Sequence, residues 1–250
     1  MKLYTELAEY YYEIEKSGRN FREEVLLLDE IYKKYKVQTV LDIGCGTGEH
    51  VVAMQELGYK ITGADSSKEM IAQAQKRFPN CHFEIGDLQT YKKEKAFDGI
   101  YSIFGTMNYL ITKEDLDSSL SNIRKNLKPS GIVIMEIWNA IPIQLIQRKP
   151  LTTVGLAKIG NLVIKRNRGF KVKRTEGAAQ SEETLVEVNF VYNLDKKEIK
   201  DKHIMRVFTL EEISAMLDHQ KFEILQIYGN YKMEKYKNHG ARMIIVAKKR

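Results

Sequence analysis

Cysteine is scarce in this 250-residue chain: Cys45 and Cys81 are the only two, too few for a disulfide framework or a cysteine-based zinc site. Long apolar runs are missing as well. The longest, such as residues 131–138, have the length of a strand and fall far short of the roughly 20 residues with which a helix spans a bilayer. No transmembrane helix is expected. The opening, MKLYTELAEYYYEIEK, interleaves acids with tyrosines where a secretory signal needs an unbroken apolar core, so a cytoplasmic location is expected. His50, His82, His203, His219 and His239 are scattered without metal-ligand spacing, and no metal is expected. Internal repeats and low-complexity tracts are also absent.

What is present is ample for a core: 43% of the residues are hydrophobic and 29% charged, enough to fold without covalent staples. The formal net charge is +7, but it is unevenly placed. Residues 1–140 hold 18 Lys and Arg against 21 Asp and Glu, a net of −3, whereas 141–250 hold 22 against 12, a net of +10. Within the second part, 148–174 carries nine basic residues and no acid.

Periodicity divides the chain at about residue 140. Before it, helix-like and strand-like segments alternate. Phe21, Val25, Leu28, Tyr32 and Tyr35 recur at helical spacing, then 39–43 is a short apolar run that stops at glycines, as a buried strand does. A helix over 48–57, a strand over 60–64 and a helix opened by the Ser66/Glu69 capping pair and stopped by Pro79 follow. Strands are expected at 82–85, 97–104 and 131–138, with a helix through Leu116, Leu120, Ile123 and Leu127 before the last. Such alternation predicts an α/β fold with a mostly parallel sheet covered on both faces. Beyond 140, Val186, Val188, Phe190, Tyr192 and Leu194 alternate strictly, and a turn over 195–198 leads to a returning strand over 199–208. This stretch reads as an antiparallel β insertion. Thr209 with Glu212 opens a last helix to about Gln220, and strands at 222–228 and 243–247 close the chain.

The most informative segment is VLDIGCGTGEH, residues 40–50. Gly44, Gly46 and Gly48 let the backbone turn sharply and approach a ligand, and the N–H groups of the helix that follows suit an anion. A dinucleotide fingerprint would need glycine at 49, where Glu49 stands, which disfavours NAD and FAD; the Lys-Ser/Thr pair of a P-loop is missing. Asp65 ends the second strand, in ITGAD, where its carboxylate can accept both hydroxyls of a ribose. Asp87 ends the third, in FEIGD, within reach of an adenine amine. All three features fall on successive strand ends of one sheet edge, where ligands of such sheets bind.

With these residues the chain resembles the class I S-adenosylmethionine-dependent methyltransferases. The E/D-x-G-x-G-x-G signature stands as Asp42-Ile43-Gly44-Cys45-Gly46-Thr47-Gly48, the ribose acid as Asp65, the adenine-side pair as Asp87-Leu88, and the segment after the fourth strand as FDGIYSIFGTMNYL. The resemblance implies a Rossmann-like seven-stranded sheet whose last strand is antiparallel and lies at the edge. It also implies S-adenosylmethionine as cofactor and S-adenosylhomocysteine as product, held by Asp42, Gly44, Cys45, Gly46, Gly48, Asp65, Ser66, Met70, Asp87, Leu88 and Phe104. The cofactor-binding part is expected to comprise 1–140 and 209–250, and the insertion 141–208 a substrate-side unit. Within the family the chain is most similar to small-molecule N-methyltransferases, including those acting on nucleotide-linked amino sugars. The features that carry this are LAEYYYEI near the start, the insertion, and Asp201-x-His203 before Val207-Phe208-Thr209; Tyr12 stands where that subgroup has an aspartate.

Methyl transfer to an amine needs alignment, exclusion of water and a free amine more than it needs catalytic side chains. Tyr11, on the N-terminal segment that lids the cofactor in the resembling family, Asn108, after the fourth strand, and His203, on the returning strand, are the candidate catalytic residues. The expected acceptor is a small molecule, and the basic excess of the insertion points to an anionic one. Two alternatives stay open: an RNA methyltransferase using the basic 148–174 segment, and a cofactor-binding sensor or partner protein without transfer. The insertion is also a candidate homodimer interface.

Overall fold

The short apolar run at 39–43 takes the centre of a sheet because it is apolar on both faces and can be covered on both. A computed structural model describes residues 1–174, 184–195 and 197–250. Two single-turn segments, Lys2–Tyr4 and Ala8–Tyr10, lead into α1 (Tyr11–Glu15) and α2 (Phe21–Lys34). The first half then runs β1 (Thr39–Ile43), α3 (Glu49–Glu56), β2 (Lys60–Asp65), α4 (Lys68–Arg77), β3 (His82–Ile85), β4 (Phe97–Ser102), α5 (Lys113–Asn126) and β5 (Leu127–Trp138). After α6 (Ala140–Ile146) come four long strands, β6 (Arg148–Ile159), β7 (Leu162–Arg174), β8 (Thr184–Leu194) and β9 (Lys197–Val207). The chain closes with α7 (Leu210–His219), β10 (Phe222–Tyr228) and β11 (Arg242–Lys249). The expected turn over 195–198 includes position 196, which lies outside the described residues.

Seven strands form the main sheet in the order β10-β11-β5-β4-β1-β2-β3. β1 to β5 are mutually parallel, and β11 is antiparallel to both β5 and β10. The antiparallel strand therefore lies one place in from the edge, not at it. Its run Met243 to Ala247 is buried on both faces, which suits an interior strand, while β10, with only Phe222 buried, takes the edge. Alternation along β5 splits the core. Val133, Met135 and Ile137 meet Leu116, Leu120, Ile213 and Leu217 of α5 and α7, and Ile132 and Ile134 share the opposite layer with Leu27, Leu28, Val51 and Ile71 of α2, α3 and α4. At the amino end of the strands Asp98 accepts from Thr39 N (2.9 Å), Thr39 Oγ1 (2.7 Å) and Lys128 Nζ (2.9 Å), closing that end and leaving the carboxyl end to build a site.

The second sheet is an antiparallel meander, β6-β7-β8-β9. Its inner face, with Val186, Val188 and Tyr192 of β8 and Ile199, Met205 and Val207 of β9, packs on Leu3, Leu7 and Ile14 of the N-terminal segment. Two elements here escape pattern reading. β6 is an edge strand exposed along most of its length, so it carries no alternation, and α6 is a two-turn helix capped by Asn139 (accepting from Ile141 N, 3.2 Å). The helix over 68–77 is capped by Ser67, one residue after the expected Ser66: its Oγ accepts from Met70 N at 3.2 Å. Thr209 caps α7 as expected, accepting from Glu212 N.

Candidate active site

β1 lies between β2 and β4, so the chain leaving it rises at the point where the strand order reverses, and a crevice opens there. Gly44, Gly46 and Gly48 have φ of +87°, +55° and +87°, a region that side chains with a Cβ enter at a cost. Gly44 N and Cys45 N both donate to Ala64 O (2.7 and 3.0 Å), which locks the turn to β2. A Cβ on Gly44 would lie 2.5 Å from Thr106 Cγ2, so only glycine lets the loop come this close to the segment after β4. One on Gly48 would lie 2.6 Å from the Phe83 ring; that glycine serves packing.

Carboxylates ring the turn. Asp65 Oδ2 accepts from Gly46 N and Oδ1 from Ser67 N, each at 2.9 Å; burial pushes its carboxyl up and those two bonds restrain it. Asp42, 2% exposed, has no ion pair among the described residues, and burial, with the nearby Asp65 charge adding to it, pushes its carboxyl up to about 8. Asp87 Oδ1 accepts from Gln89 N (2.8 Å). Asp42, Gly44, Cys45 and Gly46 line one cavity of about 230 Å³ together with Asp65, Ser66, Asp87, Leu88, Phe104 and Tyr11.

A second cavity, about 410 Å³, lies between the carboxyl ends of the main sheet and the inner face of the second. Tyr4, Tyr11, Phe104 and Tyr109 line both cavities, so they are the partition through which the two meet. Phe104 holds φ of +61°, an unusual state for a bulky residue. Its N–H donates to Glu136 Oε2 (2.7 Å), and the Arg19 guanidinium stacks 3.8 Å from its ring centroid.

A hydrogen-bonded row runs along the partition. His203 Nε2 lies 2.9 Å from Asp201 Oδ2, which also accepts from Leu3 N (2.8 Å). Against the burial that would raise it, these bonds hold the Asp201 carboxyl at about 2. An ionised Asp201 favours a proton on Nε2, with Nδ1 then turned to Tyr109 as acceptor. Tyr109 Oη, 2.6 Å from Nδ1, donates there, and Tyr4 Oη is 2.8 Å from Tyr109 Oη.

Of the residues expected in the site, His203 lines the second cavity alone, and Gly48, Met70 and Asn108 line neither. Asn108 is fully buried; its Nδ2 donates to Arg206 O (2.7 Å) and its Oδ1 accepts from Trp138 N (3.2 Å). It fastens β9 to β5 and touches no cavity. Met70 lies on the buried face of α4. Pattern reading missed Arg19, which lines the first cavity. Its guanidinium grips Glu24 through Nη2 (2.5 Å) and Nε (3.2 Å), and Glu24 also bonds His50 Nε2 (2.8 Å). Nothing in a turn between two helices marks one arginine as buried, so no sequence signal was available.

Residues 40–131 match a family model described as a methyltransferase domain. The chain is 29% identical over 103 residues to a dTDP-3-amino-3,4,6-trideoxy-alpha-D-glucopyranose N,N-dimethyltransferase of Streptomyces venezuelae, covering 41% of this chain and 44% of that protein. With a second such enzyme, from Streptomyces fradiae, the identity is 26% over 53% of each chain. The chain thus spans about half the length of the curated relatives it matches. Its fold is similar over 98% of both chains to the crystal structure of an S-adenosylmethionine-dependent methyltransferase from Clostridium acetobutylicum, with TM-score 0.78 and 17% identity.

The loop geometry is open to a direct test. Gly44→Ala combines a positive φ with a collision and is expected to lower unfolding stability by about 2–4 kcal/mol. Gly58→Ala, with φ of +95° and open space around the new Cβ, is expected to lose only the backbone part, about 1–2 kcal/mol. Equal losses in urea denaturation would show that close approach to Thr106 is not what requires glycine.

Proposed function

We propose, on the match of residues 40–131 to a model described as a methyltransferase domain, that the protein transfers a methyl group from S-adenosylmethionine to an amine of a small molecule in the cytoplasm. The observation that carries this reading is the partition: a cavity ringed by the glycine turn and carboxylates meets a second chamber across Tyr4, Tyr11, Phe104 and Tyr109. One chamber suits the cofactor, and the other, about 410 Å³ and lined largely by Trp138, Ile143, Phe170, Val188, Phe190 and Met205, has the size and walls of a small-molecule site. The relatives' names specify amino sugars as acceptors, and an amine of that size fits the reading. In it, 141–208 forms the substrate side, and 1–140 with 209–250 the cofactor side.

The residues present fit the cofactor. Each Asp65 oxygen holds a single N–H, which leaves acceptor capacity for ribose hydroxyls. Asp87 and Leu88 would border the adenine. Asp42, a buried acid without a cation partner, would gain one in the ammonium end of the ligand. Bound there, S-adenosylmethionine supplies a methyl group on an electron-poor sulfonium. The chain's own part is to hold the amine in line, keep water out and accept a proton. An ammonium in the second cavity donates to Tyr109 Oη, the Tyr109 proton passes to His203 Nδ1, and Asp201 stabilises the imidazolium so formed. The amine nitrogen so freed would carry the lone pair that a methyl group supplied by bound S-adenosylmethionine requires.

Three measurements test this. Asp65→Ala is expected to weaken S-adenosylhomocysteine binding at least about tenfold by calorimetry, from the loss of charged hydrogen bonds; unchanged affinity would sink the cofactor assignment. Because binding an ammonium favours ionised Asp42, affinity is expected to rise from pH 6 to 8, by up to about tenfold per unit, and to level above the value of about 8. Asp42→Asn should flatten that profile. His203→Gln is expected to lower kcat for labelled methyl transfer about a hundredfold at neutral pH and to recover as pH approaches the pKa of the acceptor amine, with S-adenosylhomocysteine affinity unchanged. A loss independent of pH would assign His203 a structural role.

A further inference from the structure

We propose that the second cavity recognises an oxyanion on the acceptor, a phosphate or carboxylate group, through Arg168; this rests on reading that cavity as the acceptor chamber. β7 alternates in the ordinary way, but its two faces carry different cations. Lys165, Lys171 and Lys173 point outward and are exposed, whereas Arg166 and Arg168 share the inner face with Ile164, Phe170 and Val172 and line the cavity.

Among the described residues, the charges lining this chamber pair off and leave one over. Its two carboxylates are Glu15 and Glu136, and its three arginines Arg166, Arg168 and Arg242. Glu15 is taken by Arg166, both buried. Glu136 is taken by Arg242 (3.0 Å), by Tyr231 Oη (2.5 Å) and by Phe104 N (2.7 Å). Arg168 is half-buried, stands opposite Phe190 of β8 in the register, and has no hydrogen bond or ion pair among the described residues. Burial and the neighbouring Arg166 charge both work against its cationic form.

Arginine does not escape such a position by losing its proton. Its fork offers parallel donors that match two oxygens of a carboxylate or phosphate, and the apolar walls around it strengthen any pair formed there. An acceptor with an amine toward Tyr109 and an oxyanion toward Arg168 would satisfy both groups in a chamber whose walls are otherwise mostly apolar. The same contact would orient the amine, because it fixes the opposite end of the molecule.

The test uses the full chain saturated with S-adenosylhomocysteine and titrated calorimetrically with inorganic phosphate and, separately, with acetate, at constant ionic strength. The wild type is expected to bind at least one of them saturably. Arg168→Gln should weaken that binding at least tenfold, Arg168→Lys should weaken it less, and Lys165→Gln, on the outer face, should leave it unchanged. Tighter binding of phosphate assigns a phosphoryl group on the acceptor, and tighter binding of acetate a carboxylate. The proposal is overturned if Arg168→Gln binds the anion as tightly as wild type, or if neither anion binds the wild type saturably. Arg168→Lys keeps the test standing should the Gln variant fail to fold. A wild type that does not bind S-adenosylhomocysteine would bring down the methyltransferase reading by itself, and the anion titration of the ligand-free chain would still decide the role of Arg168.

Discussion

The buried ion pair between Glu15 and Arg166 is the tie on which the rest of the site depends. Both side chains are less than a tenth exposed, so each charge has given up water and relies on the other; removing one partner of such a pair typically costs about 3–5 kcal/mol. The pair fixes α1 to β7, elements about 150 positions apart in the chain. Tyr11 sits on the same short helix and is thereby held against Gly46, where its ring would meet a Cβ at 3.4 Å. Two further bonds fasten the segment, Leu3 N to Asp201 of β9 and Ser67 Oγ, at the start of α4, to Tyr4 O (2.6 Å). An N-terminal segment with little regular structure thus becomes the shared wall of two cavities, and neither sheet alone encloses them.

Phe104 shows what this assembly holds in place. A bulky residue at positive φ costs on the order of 1–3 kcal/mol, and three groups from different elements compensate it. Glu136 of β5 accepts its N–H, Arg19 covers its ring, and Arg19 is itself anchored by Glu24 of α2. Glu24 stays ionised, its carboxyl held at about 2, because bonds from His50 and Arg19 outweigh the burial that would raise it. Strain at the partition is therefore offset by a buried ion pair packed directly on the Phe104 ring. Arg19 lines the first chamber and Glu136 the second, so the groups that hold Phe104 come from both.

The order of helices and strands to residue 140 was legible because burial on two faces leaves apolar runs and burial on one face leaves periodicity. The acids at the strand ends were legible for a related reason: Asp65 and Asp87 interrupt the pattern at the point where a strand must end. Legibility failed where neighbours in space are far apart in sequence. Asn108 looked like a group facing substrate, since it follows the fourth strand, yet its amide holds Trp138 N and Arg206 O, and that demand comes from strands 30 and 98 positions away. Arg19, Tyr4 and the edge strand β6 gave no periodic signal. The edge position that the resemblance implied for the antiparallel strand is one place off, and alternation could not correct it, because it reports which face a residue lies on and says nothing about strand order.

The basic stretch at 148–174 shows why a summed charge is a poor guide to a binding partner. Strand pleat sorts its cations into two populations with opposite physics. Lys165, Lys171 and Lys173 lie in solvent, where each charge is hydrated and screened. Arg166 and Arg168 lie inside, where a charge must be met by another. The residue types match those places: a buried lysine can relieve its desolvation by shedding a proton, whereas arginine keeps its charge and offers a planar fork. Among the described residues the chamber places one arginine against Glu15 and gives the next no acid. On the proposed reading of that chamber, a neutral occupant would leave the charge of Arg168 uncompensated, a cationic one would add to it, and an occupant carrying negative charge would relieve it.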